Sequence, residues 1–193
     1  MWLRRNSERT ALQRWLAVAA LALLAAGLSG PAAIAQTRSE RLVPANTAIV
    51  FRAYVFGLLP VEGHFTRFTG RLTVEGTTPA HCRVEIRVET ASLVMEEPAY
   101  DRMVTGPDFL DAADYPVLAY QGACRPARGG GEITRIDGNL QLHGTAGPLA
   151  LSVHQDADSF VAEAMLRRGA WGVAGRPWMA GQTVRIRVVV RLP

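Results

Sequence analysis

Local motifs for chemistry are what this chain lacks most. Its four histidines, His64, His81, His143 and His154, form no HxH, HxxxH or HExxH spacing, and only two cysteines occur. The zinc signatures that depend on such spacing are therefore absent. CxxCH is missing, which excludes covalent haem attachment. So are the GxSxG nucleophile elbow and glycine-rich phosphate loops. Lysine is absent altogether, all 21 basic residues being arginine; that reads as codon bias and excludes nothing chemical. The expectation is a protein with no metal, no cofactor and no catalysis.

The N-terminal 35 residues stand apart. Arg4, Arg5, Arg9 and Arg14 precede and flank an apolar run over 15–28, and Ala33-Ile34-Ala35 supplies a small-x-small cleavage pattern. Residues 1–35 are expected to be a signal peptide, with Gln36 the mature N-terminus. Ser7 and Glu8 follow the arginine pair where a twin-arginine signal wants apolar residues, and no cysteine follows the run as a lipoprotein would require. The run is short for a span of ~20 residues; an uncleaved anchor is the alternative. No second run is long enough to cross a membrane, so no stable span is expected after leader cleavage. Four of the 21 arginines and one of the 17 acids lie in the leader, which leaves 17 against 16, a net charge of +1. The basic pI is mostly a leader effect, and a nucleic-acid partner is not suggested. Residues 36–193 suit a single domain, expected in the periplasm or outside the cell.

Within it the period-two signal is strong. Over 82–89, Cys82, Val84, Ile86 and Val88 alternate with Arg83, Glu85, Arg87 and Glu89. Over 182–192, Val184, Ile186, Val188, Val190 and Leu192 oppose Thr183, Arg185, Arg187 and Arg191, with Val189 as the exception. Shorter or noisier strands are read around Ile49 to Val55, Leu118 and Tyr120, Ile136 to Leu142, Leu149 to Val153, and Phe160 to Leu166. A long one over 61–75 contains Gly63 and Gly70, which permit a bend or bulge. About eight strands result, and an antiparallel sheet of that size must close or protect its edges.

The exception to the strand pattern is the acidic, turn-rich insert 101–116, which with the helix candidate over 96–106 reads as a flap. Asp108 is placed to cap a one-turn helix, with Phe109 and Leu110 anchoring the flap on the barrel. Tyr115-Pro116 forces an extended entry into the next strand. Cys82 begins one strand and Cys124 ends the next, so an antiparallel pairing of the two brings the sulfurs together. In an oxidising compartment they are a disulfide candidate, worth ~4 kcal/mol on the chain-entropy account; two buried free thiols are the alternative.

An eight-stranded closed barrel holds either packed side chains or one small ligand. The inward stripes carry almost no ionisable group, and Ala53, Gly122, Gly138, Ala162 and Ala164 are small residues that leave room. A roomy apolar lumen favours an acyl or isoprenoid chain; an ordinary filled core stands beside it as the alternative.

Four patches resemble the YceI-like family of bacterial secreted proteins. Val61-Glu62-Gly63-His64-Phe65-Thr66-Arg67-Phe68-Thr69-Gly70 is similar to its V-x-G-x-F-x-x-F-x-G. Asp108-Phe109-Leu110-Asp111 through Tyr115-Pro116, preceded by Arg102, resembles D-F-[FL]-D-x-x-x-Y-P. Gly138 to Gly144 resembles G-x-L-x-[IL]-x-G, and Arg168-Gly169-Ala170-Trp171-Gly172 resembles R-S-x-F-G. The resemblance covers 47–192. Gly169 replaces the usual serine, Trp171 the usual phenylalanine, and Tyr54-Val55-Phe56 stands where members often carry a histidine.

The resemblance implies an all-β fold: an eight-stranded antiparallel lipocalin-like barrel with one short helical flap. It also implies a periplasmic carrier for an isoprenoid lipid such as a quinone or a prenyl phosphate. The expected ligand-binding residues are Phe51, Ala53, Val84, Ile86, Tyr120, Leu140, Phe160, Ala162, Arg168, Trp171, Val184, Ile186 and Val188. Arg168 is expected either to meet a diphosphate at the mouth or, slightly favoured, to pair with a flap carboxylate. The rival reading is an envelope stress or interaction module with a filled barrel that works through its outer surface. An enzyme acting on an isoprenoid, or a haem-handling protein, ranks last for want of polar residues inside. A homodimer is one expected assembly, and a membrane oxidoreductase partner enters by family analogy only.

Overall fold

The computed structural model describes residues 37–75, 81–127, 132–156 and 158–191. The expected leader, its cleavage point and the Gly129-Gly130-Gly131 loop lie outside them. Among the described residues no helix is long and apolar enough to cross a membrane.

In most strands alternating side chains make one face apolar, and the strands bury that face by curling together. The strands are β1 (Thr37–Leu42), β2 (Thr47–Val55), β3 (Leu59–Phe65), β4 (Phe68–Glu75), β5 (Cys82–Glu89), β6 (Leu93–Met95), β7 (Val117–Pro126), β8 (Ile133–Leu142), β9 (Thr145–Asp156), β10 (Ser159–Arg167) and β11 (Thr183–Arg191). They form one curled antiparallel sheet, a half-barrel, in the order β1-β4-β5-β7-β8-β9-β10-β11-β2-β3-β6. In β5 the alternation of buried and exposed residues is unbroken from Cys82 to Glu89.

The sheet has eleven strands where the sequence suggests eight. The bend expected in 61–75 is a break: β3 ends at Phe65 and β4 starts at Phe68. Thr66 and Arg67 between them shift the phase by one residue, so Phe65 borders the interior and Phe68 is buried in the core. In a regular strand the two rings would point to opposite faces. A matching corner at Thr90–Ser92 separates β5 from the three-residue β6. The corners are joined by Thr66 N–H donating to the Ser92 carbonyl (3.1 Å) and Glu89 N–H donating to that of Arg67 (3.0 Å). The buried Ser92 hydroxyl bonds to the carbonyls of Glu89 and Arg67. The eleventh strand, β1, carries no period-two signal; five of its six residues are exposed, and it pairs along β4.

Toward one end of the sheet Cys82, Val84, Cys124 and Ile136 are buried in the core, with Val74, Ile133 and Val153 partly buried around them. There Cys82 and Cys124, at the ends of the paired β5 and β7, are joined as a disulfide with Cα atoms 5.1 Å apart, within the usual range.

Candidate functional site: an apolar cavity beneath the flap

At the other end the inward faces do not meet. Val61 and Phe65 of β3, Phe51 and Ala53 of β2, Val184 and Ile186 of β11, and Leu140 of β8 surround a cavity of about 210 Å³. All seven remain half-buried, in contrast to Cys82, Val84 and Cys124, which are buried and do not line it; Leu142, Leu149 and Leu151 line it from a buried position. The lining surface is almost wholly apolar. It is smaller than the ~300–1,000 Å³ usual for drug-sized ligands, and it opens to solvent at the rim.

Tyr120 makes the floor. Its ring crosses the interior to bring the hydroxyl 3.1 Å from the Leu149 carbonyl and 3.4 Å from that of Ile136. Burial, helped by the charge on Asp137, pushes the phenol up to about 12. The hydroxyl therefore stays protonated and donates at physiological pH. Gly122 and Gly138 face this ring: a Cβ at Gly138 would lie 2.4 Å from the Tyr120 ring and hydroxyl, and one at Gly122 2.9 Å from the hydroxyl. These two glycines, read in the sequence as spare volume, are the space the tyrosine fills. The free volume lies above the floor instead.

The flap forms the roof. Glu96 to Gly106, expected to hold the helix, contains a 3-10 turn at Pro98–Tyr100 and the helix α1 at Asp101–Thr105. Asp101 accepts a hydrogen bond from Met95 N–H (2.7 Å), tying α1 to β6. Tyr100, Met103, Phe109 and Leu110 face the cavity. Asp108 does not cap a helix as the sequence suggests. Its carboxylate pairs with Arg176 at 3.1 Å, latching the flap to the 173–182 loop.

Arg168 corrects a second expectation. It is 4% exposed, and no flap carboxylate pairs with it. Its Nε donates to the Gly181 carbonyl (2.9 Å), Nη1 to Val173 (2.8 Å) and Nη2 to Ala180 (2.8 Å). The carbon of the guanidinium sits 5.6 Å from the Phe109 ring centroid, a cation–π distance. Burial without a carboxylate pushes its pKa down. Arg168 thus fastens the loop behind the mouth and presents one edge to the cavity.

Nine of the expected residues line the cavity: Phe51, Ala53, Ile86, Tyr120, Leu140, Arg168, Val184, Ile186 and Val188. Val84, Phe160, Ala162 and Trp171 do not. Val84 stands opposite Gly122, beside the Tyr120 ring. Phe160 and Ala162 lie toward the β9–β10 turn, where Phe160 is 38% exposed. Trp171, in the 3-10 turn Arg168–Trp171, is buried and donates its indole N–H to the Leu140 carbonyl at 3.0 Å, with its ring against Gly147. The strand reading missed Met95, Met103 and Met179, which come from a three-residue strand, the flap and a loop, where no period marks an inward side. Among the described residues no three His, Cys, Asp or Glu side chains gather.

A family model described as YceI-like domain matches residues 41–192. A UPF0312 protein of Shewanella oneidensis is 27% identical over 136 residues, spanning 69% of this chain and 70% of that protein. One from Shewanella baltica is 26% identical over the same length and the same shares. Among solved structures, BcnA of Burkholderia cenocepacia has a TM-score of 0.61 at 18% identity, covering 76% of this chain and 96% of that one. A polyisoprenoid binding domain from Saccharophagus degradans, implicated in plant cell wall breakdown, has a TM-score of 0.57 at 15% identity, covering 82% and 100%. At these identities the structures speak for the fold.

Proposed function

We propose that this chain, which belongs to the YceI-like family, is a non-catalytic periplasmic binding or carrier protein for an isoprenoid-chain lipid. The observation that carries the reading is the open apolar cavity: inward side chains that a filled core would bury remain half-exposed above the Tyr120 floor. A hydrocarbon chain laid along them removes that surface from water at ~25 cal/mol per Å², before ordering costs. The likeness to a domain described as polyisoprenoid binding supports a prenyl chain over an unspecified acyl one. A quinone or a prenyl phosphate fits the chemistry: the chain would occupy the lumen and the head group would stay at the rim, near Arg168 and the flap. An outer-surface module has no use for such a cavity.

The eight-stranded, lipocalin-like closure belongs to the same proposal. β3 with β4 and β5 with β6 act as two bent strands joined at their corners, and β1 with β2 acts as a third interrupted strand. Mass spectrometry of an organic extract from the natively purified protein tests the cargo. A stoichiometric prenyl lipid is the expected result. An extract that stays empty after incubation with quinones and prenyl phosphates overturns the carrier reading.

A further inference from the structure

Five of the nine large hydrophobic side chains exposed among the described residues sit in two adjoining segments: Tyr54 (44%), Phe56 (59%), Leu58 (82%) and Leu59 (61%) around the β2–β3 connection, and Trp178 (72%) in the 173–182 loop. The segments are fastened to each other. Phe56 N–H donates to the Met179 carbonyl (2.7 Å), Gly181 N–H donates to that of Tyr54 (2.8 Å), and the Phe56 and Trp178 ring centroids are 6.3 Å apart. Phe56 is held at φ 52°, a left-handed backbone that a bulky side chain rarely adopts. The result is a braced apolar tip. Its inner neighbours, Val55, Met179 and Ala180, line the cavity, so the tip is continuous with the mouth.

The charges beside it are mainly basic: three arginines stand below the tip against one acid, Glu62, which lies opposite Arg52 on β3 and is ion-paired with it. Residues 53–61 and 173–182 contain no acid, and their only base is Arg176. Below the tip, on the outer face, Arg185 stands opposite Arg52 across β11 and β2; on β10 Met165 faces Arg185, and Arg167, opposite Thr183, stands on the diagonal one step nearer the tip. All three are exposed, and Arg167 and Arg185 make no ion pair among the described residues. Four residues of strand separate Arg52 from Phe56, ~13 Å at the usual rise. An apolar edge inserting ~5–10 Å into a bilayer interface would leave arginines at that level facing the head groups. Aromatic rings suit the interface itself, and arginines just above it suit anionic lipid.

We propose that this tip docks on a lipid bilayer carrying anionic head groups, with the cavity mouth against the membrane. The partner surface is separate from the cargo question. The nearby acids are engaged or lie elsewhere: Glu62 is paired with Arg52 and Asp108 with Arg176, while Glu96, Glu97 and Asp114 belong to the flap segment, so Arg167 and Arg185 carry the free positive charge.

The test is flotation of protein exported to the periplasm of an expressing bacterium, its N-terminus established by intact mass so that the apolar run 15–28 does not itself drive binding. Vesicles of phosphatidylethanolamine and phosphatidylglycerol (about 3:1) should carry the parent protein. Vesicles of phosphatidylcholine, or 0.5 M salt (~4 Å Debye length), should weaken binding several-fold. Leu58→Asp with Trp178→Ser should lower partitioning at least about tenfold while far-UV circular dichroism stays unchanged, since both side chains point to solvent. Arg167→Gln with Arg185→Gln should remove the preference for anionic vesicles. No flotation of the parent, equal flotation of the tip variant, or a parent dimer that the tip variant abolishes without any vesicle binding would overturn the docking proposal. Quinone retention measured on the same samples keeps the cargo reading independent: a parent that holds quinone without floating refutes docking alone.

Discussion

Replacing Ala53 with phenylalanine separates a cavity used for cargo from a core that is merely loose. Ala53 lines the cavity from β2, opposite Val61, and is half-buried. The new side chain adds about 100 Å³, roughly half of the 210 Å³ available. In a filled core that addition would force rotamers and backbone apart, at about 1–3 kcal/mol or more. Here it enters open space and covers apolar surface, so unfolding free energy should stay within about 1 kcal/mol of the parent by urea titration, with an unchanged m-value. Cargo loses half its room. Titration calorimetry with a short-chain ubiquinone should therefore show at least about tenfold weaker binding, ~1.4 kcal/mol. A destabilisation above about 3 kcal/mol would mean the space is not open as described. Undiminished quinone binding by a folded variant would place the cargo elsewhere and refute the reasoning.

Gly138→Ala should do the opposite, because its Cβ would meet Tyr120 and the Gln121 carbonyl at 2.4–2.5 Å; a loss of about 1–3 kcal/mol in denaturant is expected, and a neutral result would show that the ring is not wedged there. Raising the pH should destabilise the protein through Tyr120. Its pKa of about 12, against an ordinary 10, means the folded state holds the proton longer than the unfolded state, so the contribution is complete below pH 10 and lost between 10 and 12. About 2–3 kcal/mol should disappear over that window, and Tyr120→Phe should flatten the profile in a stability series across it. Replacing Cys82 and Cys124 with serine opens a loop with a sequence separation of 42, which should cost about 2–4 kcal/mol. A non-reducing peptide map that finds both thiols free would remove the basis for that figure.

Tyr120→Phe also isolates what the phenol contributes to the floor. Its hydroxyl meets the Leu149 and Ile136 carbonyls, so removing it takes one buried hydrogen-bond donor from the floor, while the ring that the glycines accommodate is kept. A loss of about 0.5–1.5 kcal/mol near neutral pH follows from the missing hydrogen bond. The sequence offers Tyr120 only as an inward residue on a strand; its span across the interior depends on neighbours from β8 and β9.

Where one residue in two points inward, the sequence alone determined the outcome. The stripe Cys82, Val84, Ile86, Val88 and the stripe Val184, Ile186, Val188 follow from pleat geometry and burial, which act locally. Phe109 and Leu110 were legible as flap anchors because two adjacent apolar residues in an acidic, turn-rich stretch have nowhere else to go. Tertiary structure decided everything that needs two distant segments at once. It split 61–75 at Thr66 and Arg67, because a corner is set by the neighbouring strand's carbonyls. It sent Asp108 to Arg176 and gave Arg168 three backbone carbonyls, because an ion's partner is the group that arrives beside it. It also put Val84 and Ala162 away from the open space; the stripe of Val84 is as read, whereas in β10 Ser159 and Val161 are buried and Phe160 is exposed. A period of two specifies which face a side chain takes; how far along the interior it stands, and whether a ring such as Tyr120 fills the space there, is decided only when the strands assemble.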